Sequence, residues 1–189
     1  MARRRATAAL VALALLASLG LSACESAAVK VRQGAQREGK AFRIGPVDYN
    51  VFITRELNPH IVEDNAYYQG PEPPKDQLLY GVFIQVCNKT KQTQQTASKF
   101  TITDNQGNLF QRTPLPKDNP FAYQPTTLKA GICEPESGSV AQLGPTAGSM
   151  LLFKLPLQNT ENRPLELHIE GPFDVAAGKR FSQRVELDI

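Results

Sequence analysis

The stretch from Leu78 to Phe110 constrains the fold most, because its side chains follow the period of two that is typical of β-strands. Apolar residues alternate in its first part: Tyr80, Val82, Ile84 and Val86. A polar connection follows, and a second strand then places Phe100 and Ile102 on one face. The turn over residues 104–108 reverses the chain into Leu109. The stretch therefore predicts strands joined by turns, and it carries no catalytic residue.

The rest of the chain repeats this pattern in short segments, namely residues 47–54, 149–155, 165–169 and 180–189, with a further candidate strand over 126–133. Glycine and proline punctuate the connections, and no segment keeps a helical period of 3.6 residues. The sequence therefore predicts an all-β, antiparallel sandwich of seven or eight strands over residues 42–189. Two connections, residues 60–76 and 113–125, are long and rich in proline.

The N-terminus has the three regions of an export signal. Arg3, Arg4 and Arg5 precede an apolar run from Ala8 to Leu21, and small residues follow. The run is shorter than the ~20 residues that a membrane span needs. Arg4-Arg5 lacks the Phe-Leu-Lys element of twin-arginine signals. Residues 1–23 are therefore predicted to be a signal peptide.

The signal ends in Leu21-Ser22-Ala23-Cys24, which resembles the lipobox of bacterial lipoproteins. In that family the cysteine becomes the first mature residue and carries diacylglycerol. The resemblance implies an exported protein anchored through Cys24 to the bacterial cell membrane, on its outer face or on the periplasmic side. An ordinary signal peptide with a chance cysteine is the alternative.

Residues 24–41 are small, polar or charged and predict a tether. The alternative is a short amphipathic helix, whose apolar side only Val29 and Val31 could supply.

The distribution of charge argues against a nucleic-acid partner. The chain has 21 Lys and Arg, of which three lie in the signal, whereas all 18 Asp and Glu follow Cys24. The mature chain is therefore formally neutral, without the excess of positive charge that binds nucleic acid.

Three cysteines in an exported chain would leave one unpaired thiol. If Cys24 carries lipid, Cys87 and Cys133 remain, and a pair outside the reducing cytosol is expected to form a disulfide. Two separate buried thiols are the alternative, since sequence alone does not give the geometry.

A family resemblance rests on three segments: the strand that ends Val86-Cys87-Asn88, the hairpin from Lys99 to Gly107, and the LLFKLP strand over residues 151–156. Together they resemble the DUF4352 family, which includes the MPT63-like secreted proteins. The resemblance implies an immunoglobulin-like β-sandwich on an exported or lipid-anchored protein, with no established catalytic site. This chain departs from the pattern in its cysteine pair and in its longer, proline-rich loops.

Residues that could carry catalysis or bind a metal are few, and we expect no cofactor. His168 stands between Glu166 and Glu170 on one strand, where a solvated face is the simpler interpretation. His60 beside Pro59 is interpreted as a loop residue. The acidic pairs Glu63-Asp64 and Glu134/Glu136 lack a full loop of spaced oxygen ligands for calcium.

Two classes of function remain. The favoured one is a lipid-anchored interaction module that binds a protein or glycan of the envelope, without catalysis. Its candidate binding surface consists of four aromatic residues in the proline-rich loops: Tyr67, Tyr68, Phe121 and Tyr123. The alternative is that these rings fold back onto the domain and cap the sandwich. The second class is an envelope enzyme with a carboxylate site that no sequence motif marks.

Overall fold

The computed structural model describes residues 34–188, and the predicted signal peptide and lipid-attachment residue lie outside them. The strands are Gln36–Arg37 (β1), Ala41–Ile44 (β2), Val47–Leu57 (β3), Gln77–Cys87 (β4), Gln94–Gln95 (β5), Lys99–Thr103 (β6), Leu109–Thr113 (β7), Thr127–Leu128 (β8), Cys133–Glu134 (β9), Ser149–Pro156 (β10), Leu165–Asp174 (β11) and Lys179–Leu187 (β12). Two one-turn helices, Val62–Asn65 (α1) and Val140–Leu143 (α2), and a 3-10 turn at Leu157–Asn159 lie between strands. None of these described helices is long and apolar enough to span a bilayer.

The strands form two layers that share β7. The first half of β7 pairs with β6, where Ile102 lies opposite Phe110, and its second half pairs with β10, where Phe153 lies opposite Arg112. The hydrogen-bonded order is β1-β12-β11-β6-β7-β10-β4-β3-β2, and the short pair β5-β8 is separate. The all-β sandwich that the sequence predicts is therefore confirmed.

The main core lies between the two layers. It combines apolar residues of β6, β11 and β12 with those of β2, β3, β4 and β10, and it includes Ile102, Leu167 and Val185 facing Val82 and Leu151. The period of two in the sequence arises here, because alternate residues of each strand enter this core.

A second apolar cluster covers the outer face of β4 and β10. Phe83, Met150 and Leu152 point to that face and are fully buried, because the two proline-rich loops lie across it. These two strands are therefore apolar on both sides, like the central strands of a layered fold.

The described β-sandwich begins before the predicted domain boundary at residue 42. Gln36 pairs in parallel with Val185 of β12, and the carboxylate of Glu38 accepts a hydrogen bond from the Thr54 backbone amide at 3.1 Å. The end of the predicted tether is thus part of the sheet. The candidate strand over 126–133 is wrong as a continuous strand, since only β8 and the start of β9 are extended there.

Candidate binding site

The two proline-rich loops, residues 58–76 and 114–125, meet over the outer face of β4 and β10. The side-chain amide of Asn119 in the second loop donates to the backbone oxygen of Tyr67 in the first, at 2.9 Å. The carbonyl of Asn119 also accepts the Ala122 amide, and its side-chain oxygen accepts the Phe121 amide at 2.9 Å. Asn119 therefore fixes one loop against the other.

The buried carboxylate of Asp64 in α1 holds the first loop to the end of β3. That carboxylate accepts a hydrogen bond from the guanidinium of Arg55 and another from the Asn58 backbone amide at 2.9 Å. The carbonyl of Asp64 accepts the amides of Tyr67 and Tyr68. The carboxylate of Asp64, which belongs to one of the two acidic pairs considered for calcium, is thus hydrogen-bonded to donors of the same chain.

The four aromatic residues of the predicted binding surface are buried, so that prediction is wrong. Tyr67, Tyr68, Phe121 and Tyr123 are 2%, 7%, 8% and 0% exposed. The ring of Tyr67 contacts the rings of Phe83 and Phe121 edge-on, with centroids 4.9 and 4.7 Å apart. The apolar outer face of β4 and β10 needs a cover, and Tyr67, Tyr68 and Phe121 supply it, whereas Tyr123 packs in the main core between the layers. The capping alternative is the one that holds.

A surface cleft of about 330 Å³ remains between the two loops, which we name the proline-loop cleft. The first loop contributes Ala66, Tyr68, Gln69 and Gly70, and the second contributes Leu115, Pro116, Asp118, Asn119 and Pro120. The hydroxyl of Tyr68 donates to the Pro71 carbonyl at 2.9 Å, which fixes the ring at the cleft wall. The cleft is thus apolar, with a few polar groups, and its walls are already fixed.

Gly70 is required by the close approach of Tyr68. A Cβ atom at position 70 would lie 2.5 Å from the ring carbon Cζ of Tyr68, so the ring would have to move. A methyl group at residue 70 would therefore change the wall of the cleft through Tyr68, which belongs to the outer cluster, and would not contact the main core between the layers.

A second cleft, of about 290 Å³, lies at one end of the sandwich. Its lining comes from the β2–β3 turn at Gly45 and Pro46, from β5, and from the irregular part of β11 around Pro172, with Phe181 of β12. The β11–β12 turn forms the adjacent tip, in which Phe173 and Val175 are 52% and 85% exposed. We name this region the tip end.

The disulfide prediction agrees with the structure, since Cys87 and Cys133 are bonded, with their Cα atoms 4.0 Å apart across the β4–β9 pair. Just after β4, the buried side-chain amide of Asn88 donates to the carbonyls of Gln92, Leu128 and Lys129. The bond and the amide together fix the loops around β5 at the tip end.

The two glutamates that flank His168 on β11, Glu166 and Glu170, take part in ion pairs and not in a metal site. Arg184 lies 4.0 Å from Glu166, which is buried, and Lys99 lies 3.1 Å from Glu170. Within residues 34–188 no group of three or more His, Cys, Asp and Glu side chains could hold a metal ion. His60 lies in a loop at the surface, 3.3 Å from Glu72, and Glu134 accepts a hydrogen bond from the Ser149 hydroxyl at 2.6 Å.

The most perturbed carboxylate, Asp104, belongs to a structural network. Burial by itself would raise its pKa, but hydrogen bonds from Asn108, Asn162 and Asn159 outweigh burial and hold the pKa of Asp104 well below its usual range. Its oxygens also accept the backbone amides of Gln106 and Asn108. Asp104 lines neither of the two clefts, so its low pKa reflects the folding of the β6–β7 turn.

Comparison with known structures finds the same fold in bacterial proteins. The yjhA protein from Bacillus subtilis superposes with a TM-score of 0.54 and 11% identity, covering 81% of this chain and 99% of that protein. A functionally unknown protein from Listeria monocytogenes gives a TM-score of 0.52 and 10% identity, covering 82% and 84%. At these identities the likeness shows the fold alone.

No family model matches the chain, and no curated protein matches it by sequence. The DUF4352 resemblance therefore stays a prediction.

Proposed function

We propose that this chain is a lipid-anchored interaction module of the bacterial envelope, which binds an extended segment of an envelope protein in the proline-loop cleft. The anchor rests on the Leu21-Ser22-Ala23-Cys24 sequence behind an export signal, and the β-sandwich is a fold that the DUF4352 resemblance would also imply. The single observation that carries the binding site is the tie between the loops, in which Asn119 bonds to Tyr67 over a buried aromatic cluster.

This tie matters because binding costs less ordering entropy when a site is rigid before the ligand arrives. Four prolines stiffen the loop from 114 to 125, and the amide of Met150 in β10 donates to the carbonyl of Phe121 at the loop's end. A cleft built in this way keeps its shape in the absence of ligand.

The lining favours a peptide of mixed character. Leu115, Pro116 and Pro120 supply apolar contacts, whereas Gln69 and Asp118 supply an amide and a carboxylate at the rim. Peptide ligands present both apolar side chains and backbone amides, which such a lining can bind together.

Photo-crosslinking in native envelopes tests the proposal. We expect benzoylphenylalanine in place of exposed Asp118 to give a discrete protein adduct, identified by mass spectrometry. The same group at Gln111, which is exposed on β7 outside the cleft, should not give that adduct. Adding Gly70→Ala to the Asp118 variant should remove the adduct, and circular dichroism should show that the β-sandwich is retained.

Equal adducts from positions 118 and 111, or an adduct that survives Gly70→Ala, would refute the cleft as the site. An adduct made of cell-wall glycan would refute the peptide as ligand.

A further inference from the structure

The tip end differs from the rest of the surface, because it combines exposed apolar side chains with a local excess of positive charge. Phe173 and Val175 project from the β11–β12 turn, and Lys179 and Arg180 follow on the opposite strand. The ammonium of Lys179 lies 4.9 Å from the centre of the Phe181 ring, and the guanidinium of Arg180 lies 6.0 Å from that of Phe173. Each cation is therefore next to an aromatic ring.

Ion pairing at this end leaves positive charge in excess. Asp48 faces two cations, Arg43 at 3.0 Å and Lys89 at 3.2 Å. One carboxylate pairs with two cations here, so this group of three side chains has a net charge of +1.

Glu170 repeats the arrangement, with Lys99 at 3.1 Å and Arg180 at 3.8 Å. Lys91 and Lys129, both exposed in the loops around β5, add to the excess. Asp174 next to the β11–β12 turn is a third acid at this end, and the lysines and arginines named here still outnumber Asp48, Glu170 and Asp174. The tip end is therefore basic, although the mature chain as a whole is formally neutral.

The opposite end of the sandwich has the reverse polarity. Its exposed acidic residues include Glu56, Asp76, Glu161 and Asp188, and its exposed basic residues include Lys75 and Arg163. An anionic surface would repel that end and attract the tip end.

The start of the described chain lies along β12. β1 runs parallel to β12 with Gln36 opposite Val185, whereas β12 begins at the tip with Lys179. β1 therefore lies toward the end of β12 that is remote from the tip. About ten residues separate Cys24 from Gly34, and such a segment can extend at most ~35 Å, so a lipid anchor at Cys24 would keep the domain within reach of the bilayer.

From these features we propose that the tip end docks on the membrane surface, with Phe173 and Val175 in the headgroup region and the surrounding lysines and arginines against anionic headgroups. The contact adds to the covalent anchor, since apolar burial and attraction to anionic lipid both favour it. It would leave the proline-loop cleft, on the outer face of β4 and β10, open to a partner. This orientation rests on the proposed lipid anchor.

Fluorescence of the lipidated chain in vesicles tests the docking. An environment-sensitive dye is placed at Val175→Cys, and a matched control dye at Gln158→Cys, which is exposed at the opposite end. With mixed phosphatidylglycerol and phosphatidylcholine, we expect the Val175 dye to shift to the blue and to be quenched severalfold by a headgroup nitroxide lipid. The Gln158 dye should show neither effect.

Two variants separate the apolar contribution to membrane docking from the electrostatic one. Phe173→Ser should weaken quenching at position 175, and Lys179→Glu with Arg180→Glu should abolish the difference between mixed vesicles and pure phosphatidylcholine. Both variants should still float with the vesicles and keep their melting temperature, because these side chains are exposed.

The outcomes distinguish the docking from the anchor. A chain that floats with vesicles while both dyes stay in water would refute the docking and leave the anchor intact. An unmodified Cys24 would refute the anchor. The same two dyes on that unlipidated chain, at high vesicle concentration, would then decide the docking, with equal response at both positions counting against it.

Discussion

The hydroxyl of Tyr123 donates a hydrogen bond to the carbonyl oxygen of Ala97 at 2.8 Å, and both residues are fully buried. The amide of the same residue, Ala97, donates to the phenolic oxygen of Tyr49 at 2.7 Å. Burial raises the pKa of Tyr49 to about 12 and also raises the pKa of Tyr123. Two tyrosines thus satisfy both backbone groups of a residue that enters the core ahead of β6, where no strand partner does so.

Replacing Tyr123 with Phe should therefore destabilise the fold. The substitution removes one hydroxyl and leaves the buried carbonyl of Ala97 without its donor, which costs about 1–3 kcal/mol. Urea unfolding of the two proteins would measure the change. Tyr68→Phe is the matched control, because its hydroxyl bonds to Pro71 at a partly exposed position and its loss should cost less. An unchanged free energy of unfolding in Tyr123→Phe would contradict the structural role.

The strands could be predicted from the sequence because their signal is local. Alternation in β3 and β11 and the dense apolar run of β10 follow from which face each residue presents. Within residues 34–188, eight strands have four or more residues, in agreement with the seven or eight that the sequence predicted, and four others have only two residues each.

The burial of the aromatic residues in the loops could not be predicted from the local sequence, because it depends on strands that are distant in the chain. Gly81, Phe83 and Met150 show that the outer face of β4 and β10 is apolar as well, which was a signal that something must cover it. The prolines of the two loops suggested that the aromatic side chains are exposed. They are buried because covering the apolar outer face of β4 and β10 is favourable in free energy.

The Asp104 network could not be predicted for a related reason. Asn159 and Asn162 lie more than fifty residues further along the chain, and they reach the carboxylate only in the folded protein, at 3.1 and 3.0 Å. In the sequence Asp104 is simply the first residue of a polar turn.

Asp104→Asn should destabilise the protein by about 2–3 kcal/mol near neutral pH, because it replaces an anion that accepts several N–H donors. Since the pKa of Asp104 is lower in the folded state than in the unfolded chain, its contribution is complete above the unfolded value of about 4. It is lost as the pH falls through and below that value. Urea unfolding from pH 7 to pH 2.5 would show a weaker acid dependence in the variant.

The control for this prediction is Asp118→Asn, in which an exposed carboxylate outside the network is changed. It should leave both the stability and the pH profile close to those of the parent protein. Parallel acid profiles for the parent and Asp104→Asn would count against the low pKa.

Reducing the Cys87–Cys133 bond should lower stability by as much as about 4 kcal/mol, since the bond closes a loop with a sequence separation of 46 residues. The double variant Cys87→Ala with Cys133→Ala should melt at a lower temperature than the oxidised protein. Reducing agent should lower the melting temperature of the parent only, which separates the effect of the bond from that of the solvent. Two free sulfurs in a thiol-blocking assay of oxidised protein would disprove the pairing.

Cys24 should be the first residue of the mature protein and should carry lipid. The expected physical effect is large, because each buried methylene of an acyl chain contributes about 0.8 kcal/mol and two chains hold a protein on a bilayer stably. Mass spectrometry of the native protein should find a lipid-modified peptide that begins at Cys24 and no peptide from residues 1–23. Cys24→Ser should abolish the lipid modification, whereas Cys87→Ala with Cys133→Ala should leave it in place. Recovery of the parent protein free in the medium, with an unmodified Cys24, would show that the chain has an ordinary signal peptide instead.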